Sequence, residues 1–254
     1  AQRRLSTAGL PDFTETCVEV IGDESHYGAR RAVSGSREVA VKIAARHPES
    51  KALALLAQEV TGLALGGPPG LTGFAGGRPK PSPVIRLYSF TREKDDLTIQ
   101  IELEGRQWEH RGPRRTATFD PGQIIRPPAP APPANDVEAE EVPLIRLALA
   151  RSGDKGDKAN VGVIARRPEF LPWIWASLTE EAVAGAFAHF LDGRSARPVE
   201  RYFLPGSHAL NSLLHGVLGG GGVASLRNDP QGKTYAQLLL DYPIRIPSAL
   251  MEAP

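Results

Sequence analysis

Cysteine, methionine and aromatic residues are what this 254-residue chain has least of: one Cys, one Met and a 6% aromatic share. With Cys17 alone, an internal disulfide framework and a cysteine-built zinc site are excluded, which fits a reducing compartment. No apolar run approaches the roughly 20 residues of a membrane helix, and no apolar stretch of signal-peptide type opens the chain, so the expectation is a cytoplasmic protein with no membrane partner. Charge of one sign is lacking too. The 30 basic and 29 acidic residues leave a net charge of +1 and are interspersed, without blocks or aromatic-basic interleaving. A nucleic-acid partner is therefore not expected.

What the chain has in quantity is glycine and proline, 26 and 23 residues. The prolines crowd into residues 126–136, where they forbid helix interiors and ladder pairing and favour an extended spacer. This divides the chain into a unit over 1–125, a Pro/Ala-rich linker over 126–141, and a second unit over 142–250. Period-2 alternation predicts strands over 15–21 and 38–44, and helical spacing of Leu53, Leu56, Ala57 and Val60 predicts a helix opening near Pro48. Residues 83–90 and 97–103 read as a strand pair. In the second unit, strands are expected over 144–150, 161–165, 199–204 and 234–240, with helices over 179–190 and 207–218. The fold class is α+β, in two small units.

The densest polar stretch interrupts the second unit's apolar runs. Ser152, Gly153, Asp154, Lys155, Gly156, Asp157 and Asn160 read as a compact loop in which the glycines permit positive φ and the polar groups can hold a ligand. It matches neither the phosphate-loop pattern nor a calcium ladder. A self-bonded turn explains the same residues equally well. If the loop binds, a carboxylate or phosphate suits it better than a metal, because Arg151, Lys155 and Lys158 dilute the two carboxylates; a magnesium bridge through Asp154 and Asp157 stays open.

Three segments in order, residues 10–14, the Gly/Pro-rich 61–83 and the loop at 151–165, resemble the acyclic terpene utilisation (AtuA-like) family. The resemblance covers nearly the whole chain but aligns it with the C-terminal part of a longer family protein. The only methionine being Met251, a truncated or separated C-terminal piece is expected. The resemblance implies that the C-terminal unit is a ferredoxin-like α/β sandwich. It also implies a part in degrading acyclic terpenoids or branched acids as coenzyme A thioesters, with lyase or hydratase chemistry. The partners it implies are an acyl-CoA thioester, an N-terminal portion of the same protein, and further copies of the chain in a homo-oligomer. The alternative is a non-catalytic oligomerisation or docking module. No cofactor beyond an acyl-CoA ligand, and no metal, is indicated.

Two further features bear on a site. Arg78 follows the glycine-rich 66–77 stretch, and its planar guanidinium suits bidentate capture of a carboxylate or phosphate. On the helix expected from Ser207, His208, Asn211 and His215 share a face, making His208 and Asn211 secondary candidates. Their spacing is not that of a zinc-binding helix, and capping or surface roles explain them at least as well.

Overall fold

In the computed structural model, which describes residues 1–33, 35–67, 69–112, 118–133 and 138–252, the alternating runs near the start form a hairpin. β1 (Glu15–Ile21) pairs antiparallel with β2 (Ala40–Arg46), setting Glu15 opposite Arg46 and Ile21 opposite Ala40. Helix α1 (Gln2–Thr7) packs on α2 (Ser50–Gly66), burying Leu5 and Ala52. The described residues of 67–86 hold no regular element and lie mostly exposed; Pro68 falls outside the described residues.

The chain divides into two compact units, residues 1–86 with 129–254, and residues 87–128. The smaller one holds a hairpin of β3 (Ile99–Leu103) and β4 (Arg106–His110). The strand expected over 83–90 does not form. The partner of the 97–103 run lies downstream, because Glu104 (φ 51) and Gly105 (φ 75) both take the left-handed conformation that a two-residue hairpin turn requires. Of the Pro/Ala-rich linker, residues 134–137 lie outside the described residues.

The second half is a sheet with helices on one face. β5 (Ala139–Pro143) pairs with β10 (Pro243–Pro247) as a separate ribbon. Four strands, β6 (Ala148–Lys155), β7 (Lys158–Ala165), β8 (Val199–Leu204) and β9 (Ala209–Leu214), form an antiparallel sheet in the order β6-β7-β9-β8. Between β7 and β8 run α3 (Leu171–Ser177) and α4 (Glu180–Ala186); α5 (Tyr235–Leu240) follows β9 and α6 (Ser248–Glu252) follows β10. Two ββα halves thus meet along β7 and β9. Helix α5 packs on β6 and β7, and α4 on β8 and β9.

Apolar burial between sheet and helices drives this arrangement. Val161, Val163, Leu210 and Leu214 project from the inner strands towards Val183, Phe187 and Leu239, all buried. The Tyr235 ring stacks on Phe190 at 5.0 Å and lies 5.2 Å from Phe187, each such pair adding about 0.5–1.5 kcal/mol beyond its buried area. Thr179 caps α4, its hydroxyl accepting from the Ala182 N–H at 3.1 Å, which satisfies one of the helix's orphan donors.

Besides the 83–90 run, three elements differ from expectation. Of the strand expected over 144–150 only residues 148–150 belong to β6, because residues 144–146 form a tight helical turn between β5 and β6. Residues 207–218 contain β9 and not a helix: Leu210, Ser212 and Leu214 are buried while Asn211 and Leu213 are only partly so. Residues 235–240 are helical: Tyr235, Ala236, Leu238, Leu239 and Leu240 are all buried, and packing on β6 selects the helix where the continuous apolar run does not.

Candidate functional site

The polar stretch 152–160 is the tip of the β6–β7 hairpin and not an irregular loop, so side chains alternate between faces. Ser152 and Asp154 point to the helical side, whereas Arg151, Gly153 and Asn160 belong to the open face; Gly153 sits opposite Asn160. Of the two glycines, Gly156 alone has positive φ, +68°, because it alone occupies the turn.

The residues facing the helices and the turn are tied to protein. Ser152, 8% exposed, donates from Oγ to the Gly232 carbonyl at 2.6 Å and accepts from the Ala236 N–H at 2.9 Å, joining β6 to the first turn of α5. Asp157 Oδ1 accepts from the Gly220 N–H at 2.7 Å, and its own carbonyl accepts from the Val217 N–H at 3.3 Å. The facing loop cannot take a side chain at Gly221, where an added Cβ would lie 2.7 Å from the Gly156 carbonyl oxygen. Asp154 meets Lys233 at 3.6 Å in a partly exposed ion pair, while Lys155 is exposed.

The open face is built from three cross-strand rows. At one end Leu149, Ile164, Ala209 and Leu204 lie side by side; next come Arg151, Gly162, Asn211 and Tyr202; then Gly153, Asn160, Leu213 and Glu200. Leu149, Ile164 and Leu204 remain 56%, 50% and 45% exposed. They border a groove of about 320 Å³ that includes Arg151, Gly162, Ser207 and Asn211. The Asn160 amide donates to Asn211 Oδ1 at 3.1 Å, so two residues singled out separately from the sequence meet here. At the β8 edge, Glu200 accepts from the Tyr202 hydroxyl at 2.8 Å and pairs with His215 Nε2 at 2.6 Å. These two hydrogen bonds, Tyr202 foremost, hold its carboxyl below the usual range.

The other candidates are not gathered there. His208 is exposed in the left-handed conformation (φ 49, ψ 46) at the turn between β8 and β9, so the shared helix face with Asn211 and His215 does not exist. Arg78 is exposed on the stretch after α2, and among the described residues no ion pair joins it to the hairpin. No group of three or more His, Cys, Asp and Glu side chains among the described residues is arranged to hold a metal ion, and no described helix is long and apolar enough to cross a membrane.

A second polar cluster had no signal in the sequence, since its members lie about 200 positions apart. Thr234 Oγ1 is 2.7 Å from both His26 Nε2 and Asp229 Oδ2. The His26 ring lies 4.7 Å from Phe190 and 5.9 Å from Tyr235, and burial among them pushes its pKa down. Burial alone would raise the Asp229 carboxyl, but donors from Thr234 and Lys233 outweigh it and lower it. Arg227 braces the same region, donating to the carbonyls of Val217 and Phe190 and lying 4.9 Å over the Phe190 ring.

Residues 1–103 match the family model described as acyclic terpene utilisation family protein AtuA, and residues 142–245 match the AtuA ferredoxin-like domain. No curated protein and no solved structure matches the chain. The two matched spans do not overlap and both describe AtuA, and the second coincides with the four-stranded sheet and its helices. The chain accordingly belongs to the AtuA-like proteins and carries the ferredoxin-like domain of that family in its C-terminal half.

Proposed function

We propose that this chain serves acyclic terpene utilisation by holding a branched acyl chain, as the acid or its coenzyme A thioester, on the open face of the ferredoxin-like sheet. The observation that carries the reading is the groove: an apolar row of Leu149, Ile164 and Leu204 beside Arg151 and Asn211. Methyl branches suit the row, and a guanidinium beside it suits a carboxylate or thioester carbonyl. Gly162, lacking a side chain between Arg151 and Asn211, leaves the groove open. At about 320 Å³ the space is at the lower end for small-molecule sites, which run from roughly 300 to 1,000 Å³. It fits an acyl chain, with any coenzyme A nucleotide lying outside. Lyase or hydratase chemistry is assigned to no residue.

Thermal unfolding tests the reading. A branched ten-carbon acid at about 100 times its Kd stabilises by about 2.7 kcal/mol, raising the midpoint by roughly 5–10 °C. Gly162→Val fills the groove with a residue that strands favour, its Cβ meeting only the Arg151 carbonyl at 3.8 Å and Asn211 Oδ1 at 3.9 Å; this variant should fold and lose the response. A parent midpoint that stays put with both the branched acid and its thioester rules the reading out.

A further inference from the structure

We infer that a second copy of this chain covers the groove, the two sheets packing face to face about a two-fold axis parallel to the strands. The inference rests on the open face being the binding site. Its first support is the exposure of Leu149, Ile164 and Leu204 in a single row across the sheet, an apolar strip rimmed by polar residues of the kind that marks an interaction surface.

Symmetry selects the second copy and the axis. An axis between the central strands β7 and β9 lays β6 of each copy over β8 of the other. The apolar row then faces itself across the groove, with Leu149 over Leu204 and the large Ile164 over the small Ala209, so the two grooves join into one apolar channel that an acyl chain can occupy. Arg151 at the β6 edge of one copy lies over Tyr202 at the β8 edge of the other, one row from Glu200, which brings opposite charges within side-chain reach at both margins. An axis perpendicular to the strands would instead set Lys155 and Lys158 on the apolar row.

Area sets the strength. Four strands about 4.8 Å apart, each six to eight residues long, span roughly 19 Å by 20–27 Å, or about 400–500 Å² of projected surface per copy. Two copies then bury roughly 800–1,000 Å², at the threshold of about 1,000 Å² for a specific interface. Such a pair dissociates on dilution, and an acyl chain enclosed between the sheets tightens it.

Sedimentation velocity of the full chain from about 1 to about 200 µM, with and without the branched acid, tests this. The expected result is a monomer–dimer equilibrium that Ile164→Lys shifts about tenfold or more towards monomer with an unchanged circular dichroism spectrum. Arg151→Glu should weaken the dimer, and adding Glu200→Arg should restore it to within about threefold. A monomer throughout, or a dimer indifferent to Ile164→Lys, overturns the inference. If that monomer still binds the acid, the binding reading survives alone; a dimer with the expected mutational response but no response to acid supports the pairing and removes the binding reading.

Discussion

Ser152→Ala is the sharpest test of whether the polar hairpin serves the fold or a ligand. In the native protein Ser152 Oγ accepts from the Ala236 N–H at 2.9 Å and donates to the Gly232 carbonyl at 2.6 Å, behind a surface that leaves the residue 8% exposed. Alanine removes both bonds, together with the longer approach of the hydroxyl to the Lys233 carbonyl at 3.3 Å, but the partners suffer unequally. The Gly232 carbonyl keeps the Tyr235 N–H at 3.3 Å, whereas the Ala236 N–H, in the first turn of α5, has no intrahelical acceptor. A buried donor left unpaired costs about 1–3 kcal/mol, so the variant should lose about 2 kcal/mol. That corresponds to a midpoint lowered by roughly 4–8 °C for a chain of this size. Urea unfolding followed by the fluorescence of Trp173 and Trp175 on α3 reads the loss as a shift in midpoint at constant slope. A loss below about 0.5 kcal/mol, the range of ordinary surface changes, would refute the reasoning. So would full stability combined with a lost response to the acyl ligand, which would make Ser152 a binding residue.

The glycines of the same region should separate in the same way. Gly221→Ala sets a Cβ 2.7 Å from the Gly156 carbonyl at φ +84° and should cost about 2 kcal/mol or more; Gly153→Ala meets only the mobile end of Lys233 at 3.1 Å and should cost less than about 1 kcal/mol. Equal costs in urea unfolding would contradict this assignment. His26 predicts a pH dependence: burial lowers its folded pKa, so as pH falls below the unfolded value of about 6.5 the unfolded chain takes up a proton that the native state refuses. Native stability should then decline from pH about 6.5 down to the depressed folded value and level off below it. Asp229 and His189 act on the same imidazole in opposite directions, and His26→Gln should flatten this part of the profile; an unchanged slope between pH 7.5 and 5.5, a span of about two units around the unfolded value, would exclude His26 as its source.

Legibility in the sequence followed the strength of the period. The β1 and β2 strands could be read from alternation, and the 161–165 part of β7 as a short apolar run, whereas the apolar run over 144–150 reaches β6 only at Ala148. Residues 207–218 could not, since Leu210 and Leu214 satisfy a helix stripe as well as one strand face, and what decides is Pro205-Gly206-Ser207-His208 turning β8 into β9. Residues 234–240 failed for the opposite reason: a nearly continuous apolar run fits a buried strand or a buried helix, and only packing against β6 chooses. The candidate site was half legible. The clustering of Gly, Asp, Lys and Asn at 152–160 was visible, but which of them share a face depends on their being strand residues. The row of Arg151, Gly162, Asn211 and Tyr202 draws on all four strands, and no local pattern announces it.

That split of the polar stretch between two faces lets one short segment serve stability on one side and, on the proposed reading, binding on the other. Ser152 anchors β6 to α5, and Asp157, held by the Gly220 N–H, closes the turn against the 219–222 loop. Their immediate neighbours, Arg151 and Gly153 on β6 with Asn160 and Gly162 on β7, face the groove side. Each strand residue has its backbone fixed by the ladder, so fixing one face fixes the other at half a pleat's remove. The polar groups turned inward therefore hold the groove's residues in register, and the Asn160–Asn211 bond at 3.1 Å extends that order across β7 to β9. For the proposed binding of a branched chain, a surface this shallow can discriminate only if its walls stay in place, and the inward half of the hairpin is what keeps them there.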